Sequence, residues 1–271
     1  MPDSIVSPLQ KYHEKNGAKF IDFAGWSMPF SYEGTLKEHN LVRTDKGYFD
    51  VSHMGRLEID ISYIEKLSNL ICSNILDLPD GKALYSIFTT ADGTALDDVI
   101  FWKFKSHIIL ICNAANHHKI NAHLEDQKIK YTDLTRDTAL IAVQGPNAIN
   151  AMNDLIEIPD AFSCLENDTY TYARTGYTGE DGLEIMVSID KLTELMEYLD
   201  VKDINPCGLG SRDTLRLEAS LPLYGFELTE EITPVEASLK WTITNNNEYL
   251  GSGVIDEQIA TGNHKILKKF V

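Results

Sequence analysis

Residues 174–184, RTGYTGEDGLE, place three glycines, a tyrosine and three carboxylates in a stretch that fits neither the period of a helix nor the alternation of a strand. Glycine at that density marks backbone that must turn tightly or let something approach it closely. A fold built on this chain must therefore accommodate a stiff, polar turn between two strand-forming runs, TYTYART before it and LEIMVS after it. Taken alone the segment also fits a hairpin turn with solvated acids.

The flanking pattern is mixed. Leu57, Ile59 and Ile61 alternate with Glu58 and Asp60, as in a half-buried strand. Asp92-Gly93 sits between β-prone flanks, which predicts a hairpin, and HIILICNA and LIAVQG read as buried strands. Thr35 followed by Glu38 fits a capping box opening a helix that Lys46 and Gly47 close. Ile64, Leu67, Leu70, Ile71 and Ile75 predict an amphipathic helix over 63–74. Further helices are expected over 117–127, from Pro146 through Leu155, over 191–199, and over 213–220 before Pro222. Neighbouring strand pairs with helices between them predict an α+β chain with mostly antiparallel sheets, in two related sub-domains with a divide near 130–140.

With 24 Lys+Arg against 41 Asp+Glu the formal charge is −17, which argues against nucleic acid and anionic lipid as partners. No run approaches the roughly 18 apolar residues of a membrane span, and the start MPDSIVSPLQKYHEKNG lacks the leader and apolar core of a secretory signal, so a cytoplasmic protein is expected. Cys72, Cys112, Cys164 and Cys207 show no CxxC spacing and read as buried thiols. The adjacent His117 and His118 would project about 100° apart on a helix, and no metal site is expected.

Asp97 and Asp98 are adjacent acids in a strand whose other members are apolar, and they must point to opposite faces. One can be a solvated edge residue while the other enters a cavity as an orienter or proton acceptor; the pattern does not decide which. GLGSRD lacks the third glycine of a dinucleotide fingerprint and the Lys of a phosphate loop. Arg212 either clamps an anion through its planar fork or pairs with Asp213 or Glu218 at the surface. Trp26, Tyr85, Trp102 and Tyr177 are either core or a stacking surface for a flat heterocycle. Asp50, Ser52 and His53 lack a nucleophile elbow and do not suggest hydrolysis.

Taken in order, GWSMP, VRTDKGYFDVSHMG, GKALYS, LDDVIFW, CNAAN, AVQGPNA, RTGYTGEDGLE, GLGSRDTLRLEA and LYG resemble the aminomethyltransferase (T-protein) family of the glycine cleavage system over nearly the whole chain. The resemblance implies two interleaved α+β sub-domains that bind tetrahydrofolate, here residues 1–250, and a C-terminal β-barrel that is missing, residues 251–271 being its truncated start. It implies transfer of the one-carbon unit from the aminomethyl-lipoyl arm of H-protein to tetrahydrofolate, with tetrahydrofolate as co-substrate and lipoylated H-protein as partner. Asp98 becomes the catalytic acid, with Asp97 in reserve, and Met54, Tyr85, Trp102, Asn113, Tyr177, Glu184 and Arg212 become folate-binding positions. The alternatives are a related tetrahydrofolate-dependent demethylase and a non-catalytic folate-binding protein. Relatives of the latter kind carry a KGCYxGQE-type segment where this chain has RTGYTGEDGLE.

Overall fold

Strand runs and glycine breaks assemble into two compact units that alternate along the chain. The computed structural model describes residues 4–262 and 264–267. The first unit takes the residues up to Met54 together with Leu134–Leu221; the second takes Gly55–Asp133 and the residues from Pro222 onward. Both are α+β, so the predicted class and the interleaving hold. The divide expected near 130–140 coincides with one of three crossings; those after Met54 and Leu221 carry no composition break in the sequence.

In the first unit a six-stranded sheet runs in the order Cys164–Glu166, Tyr170–Ala173, Gly182–Ser188, Thr138–Gln144, Gly47–Asp50, Asn205–Pro206, antiparallel except for the last pair. Alternation sorts its two faces: Ala139, Ile141 and Val143 join Leu183, Ile185 and Val187 in a core closed by Leu192, Leu195, Met196 and Leu199 of the helix Leu192–Val201. Glu184, paired in register with Ala142, is therefore turned to the opposite face. A three-stranded sheet, Ile5–Val6, Trp26–Ser31 and Lys19–Phe23, completes the unit with two helices that pack on each other, Thr35–Thr44 and Leu209–Glu218.

The second unit holds a five-stranded antiparallel sheet in the order Lys82–Thr89, Ala95–Lys103, His107–Cys112, Gly55–Asp60, Tyr131–Asp133. Phe88, Val99, Phe101, Ile108 and Leu110 face a core shared with Leu67 and with Ile120 and Leu124 of the helix His117–Asp126. On other surfaces Ile87 and Ala95 pack with Leu228, Val235, Leu239, Tyr249 and Ile255. Ile255 belongs to a helix, Ser252–Thr261, in the segment expected to open a barrel; Phe270 and Val271 at its end lie outside the described residues.

Several predicted elements are redrawn. The helix expected over 63–74 is only Ile64–Ser68, preceded by a 3₁₀ turn, Ile61–Tyr63. Its later apolar residues are buried as the period required, but the backbone there bonds elsewhere: the N–H of Cys72 donates to Ile87 and Ile71 bridges Phe88. The helix expected from Asp213 begins at Leu209, because Gly208 caps it while its N–H donates to Glu38 (2.8 Å). Thr35 forms no capping box; Gly34 is the cap, at φ 118°, and Glu38 accepts from the N–H groups of Tyr32 (2.7 Å) and Gly34 (3.0 Å). The helix expected from Pro146 is the shorter Ala148–Met152. All four cysteines are free and buried. No helix among the described residues is long and apolar enough to cross a membrane.

Candidate functional site

The two acids of ALDDVIFW are separated by the pleat of the strand Ala95–Lys103. Asp97 lies on the core side, fully buried, where Asn113 donates its N–H (3.0 Å) and Nδ2 (2.9 Å) and Asn116 donates Nδ2 (2.7 Å). It thereby ties the end of the strand His107–Cys112 to the start of the helix His117–Asp126. Asp98 faces the other side, half-buried, and accepts from the Tyr85 hydroxyl (3.0 Å) and from Asn113 Nδ2 (2.8 Å). Asn113 thus bridges both carboxyls. Burial raises both acids above the ordinary aspartate range, and the neighbouring Asp98 charge raises Asp97 further. Asp98 is therefore a carboxyl that keeps its proton to a higher pH than an ordinary aspartate, beside a donor pair that orients it.

Tyr85 stacks on Trp241, with ring centroids 5.6 Å apart and planes at 23°. Trp241 is 64% exposed, and sequence reasoning missed it. Its neighbours in LKWTI carry no motif, and the contact joins positions 85 and 241 through the fold alone. Trp102 is fully buried, and its indole Nε1–H has no hydrogen-bond partner among the described residues.

In the first unit the glycine-rich turn is built around one amide. Gln144, fully buried at the end of Thr138–Gln144, donates Nε2 to the Thr175 carbonyl (3.2 Å) and accepts from the Thr178 hydroxyl (2.9 Å). A Cβ on Gly176 or Gly182 would run into that amide, so both glycines are required by close approach, whereas Gly179 is required by its φ of 83°. AVQG and RTGYTGEDGLE therefore form one structural device. Arg174 and Asp181 close the neck of the turn (Nε to Oδ1, 2.9 Å).

This turn presents Tyr177 to Arg212, whose guanidinium lies 4.8 Å from the Tyr177 ring centre and 5.8 Å from that of Phe49. Arg212 does not pair with Asp213 or Glu218; those acids pair with Arg216 and Arg43. Its Nη1 has no hydrogen-bond partner among the described residues, and burial lowers its pKa against the opposing effect of Glu184 and Tyr177. Glu184 is 4% exposed and accepts from the Thr175 hydroxyl (2.6 Å). Arg212 and Glu184 thus set a buried cation with an unused donor near a buried carboxylate, one donor and one acceptor side by side. Met54 is half-buried in the turn after Val51, to which its N–H donates (3.1 Å).

Asp50, Ser52 and His53 form no hydrolytic arrangement: Asp50 is fixed by His13 Nε2 (2.7 Å), by the Ser52 N–H (2.9 Å) and by Ser7. Trp26 lies under Arg136 at 5.3 Å. Among the described residues no group of three or more His, Cys, Asp or Glu is placed to hold a metal ion.

Comparison with known proteins places this geometry in context. The GCVT N-terminal domain family matches residues 9–247. The aminomethyltransferase of Chromobacterium violaceum is 40% identical over 271 residues, covering 94% of this chain and 75% of that protein. The aminomethyltransferase of a Synechocystis species is 38% identical, covering 97% and 76%. The crystal structure of glycine cleavage system aminomethyltransferase T from Bartonella henselae superposes with a TM-score of 0.89 at 34% identity, covering 94% of this chain and 74% of that one.

Proposed function

Because the chain belongs to the aminomethyltransferase family of the glycine cleavage system, we propose that it moves the one-carbon unit of an aminomethyl-lipoyl H-protein to tetrahydrofolate, releasing ammonia and giving 5,10-methylenetetrahydrofolate. Residues 1–250 are the folate-binding part in this reading. The cytoplasm is its compartment, and residues 251–271, whose described part is largely helical, lie outside that folate-binding part.

The observation that carries the reading is the division of labour between the two acids. Asp97, with three N–H donors on it, is an anchor; Asp98, half-buried and held by Tyr85 and Asn113, keeps oxygen lone pairs available for a ligand. The donors and acceptors fit tetrahydrofolate. The pterin edge offers amino and ring N–H groups to a buried carboxylate such as Glu184, and the anionic tail and ring carbonyl offer acceptors to the free Nη1 of Arg212. The flat rings suit Tyr85, Trp102 and Tyr177, while Met54 supplies a polarisable apolar contact. Tetrahydrofolate supplies the two nitrogens that take up the carbon. Asp98 orients the ligand and stabilises the positive charge that develops on the pterin nitrogen as it attacks the carbon, through a carboxylate whose position is set before the ligand arrives.

Calorimetric titration with tetrahydrofolate tests this, run on the wild type, Asp98→Asn and Glu184→Ala. The wild type should bind saturably. Asp98→Asn should bind within about threefold of wild type yet transfer nothing from loaded H-protein, and Glu184→Ala should bind at least about tenfold more weakly. A folded wild-type chain that does not bind, or equal loss of both properties in both variants, sinks the assignment.

A further inference from the structure

Arg43 makes five hydrogen bonds, one for each N–H of its guanidinium, and they all go to two elements of the first unit. Nε and Nη2 hold the last turn of the helix Leu209–Glu218, through Glu218 Oε2 (3.1 and 3.0 Å) and the Leu215 carbonyl (3.1 Å). Nη1 holds the glycine-rich turn, through the Thr178 carbonyl (2.6 Å) and Glu180 Oε1 (3.0 Å). The same helix carries Arg212 in its first turn, and the same loop carries Tyr177, the ring against which Arg212 lies. One saturated cation therefore fixes the separation between the two partners of a ligand-facing pair without touching either.

The contact is built for close approach. Gly179 seats against Ala219 just beyond the helix, with the Arg43 guanidinium beside it; a side chain there would meet Ala219 Cβ at 2.9 Å. His39, on the same helix as Arg43, reinforces the hold on that same end, bonding Thr214 Oγ1 (2.8 Å) and Glu218 (3.2 Å). The lysine ammonium has three donors in a compact cluster, so it cannot span both sides as the planar fork does.

We propose that Arg43 is a positioning residue for folate binding, acting through the 175–180 turn to hold the Tyr177 ring against Arg212. The proposal rests on the folate reading above for its functional consequence, but its structural half does not. Two variants test it, Arg43→Lys and Glu180→Gln, the second leaving the arginine in place and loosening only its hold on the loop.

Amide hydrogen exchange should quicken at residues 175–180 in both variants, with the strand Gly182–Ser188 unchanged and the melting temperature close to wild type. Tetrahydrofolate affinity should fall about tenfold in Arg43→Lys, the size expected for losing one charge-assisted hydrogen bond. With Tyr177→Ala already present, Arg43→Lys should cost nothing further, whereas a merely structural arginine would add its full penalty. Unchanged exchange in the turn, or additive losses in the double mutant, overturns the proposal. If the wild type does not bind folate, the folate reading fails, while the exchange measurement still decides whether Arg43 holds the turn.

Discussion

At the residue scale the chain sets several carboxyls against each other, and pH separates them. Asn113 donates to both Asp97 and Asp98, and those bonds pull their pKa values down against burial, which pushes them up. Asn113→Ala should therefore shift the acid limb of the transfer rate to higher pH, read from kcat/KM against pH; a limb that stays put removes Asp98 as the group responsible. Asp50 has the opposite sign. Burial raises it, but the hydrogen bonds from His13, Ser52 and Ser7 outweigh that and hold it at about 2 against an ordinary 3.8. Its contribution to stability is complete above 3.8 and disappears as pH falls through about 2, whereas the raised pair Asp97 and Asp98 contributes below 3.8 and loses that contribution as pH rises. Urea midpoints of wild type and Asp50→Asn should therefore differ above 3.8 and converge towards about 2. The sequence showed that Asp97 and Asp98 face apart, because alternation is local. It did not show which is buried, because Asn113 and Asn116 lie 16 and 19 positions from Asp97 and only the sheet brings them there.

At the scale of elements, the turn at 174–184 works because strand and loop share Gln144. Gly176→Ala should cost about 2 kcal/mol, the penalty for forcing volume into a packed interior, and the loss should shrink when Gln144→Ala is added. Thermal melts of the two single variants and the double variant decide it; strict additivity would mean that the glycine answers to something other than the amide. Strands were legible where apolar alternation or a continuous apolar run set them out, as in Gly55–Asp60 and His107–Cys112. Helix ends were not. The residues that stop Ile64–Ser68 or start Leu209–Glu218 are hydrogen-bond partners from other elements, Ile87 for Cys72 and Glu38 for Gly208, and such partners leave no trace in a local period. Both glycines of GLGSRD precede the helix expected over 213–220, yet Gly210 lies inside the observed helix, close to the Phe30 ring.

At the scale of the whole molecule the chain passes between its two units three times, after Met54, Asp133 and Leu221. A cut after Asp133 leaves Gly47–Asp50 on one fragment and its partner strand Thr138–Gln144 on the other. The fragment ending at Asp133 should therefore show no exchange protection at Gly47–Asp50, and adding the complementary fragment should restore it. Protection of Gly47–Asp50 in the isolated fragment would contradict this. The same threading bears on synthesis. At about 5–20 residues per second, Gly47–Asp50 leaves the ribosome several seconds before Thr138–Gln144. The five-stranded sheet of the second unit, which lies between Gly55 and Asp133, is complete in that interval. The middle of the newborn chain can thus close its sheet while Gly47–Asp50 still waits, an open edge, for a partner not yet made.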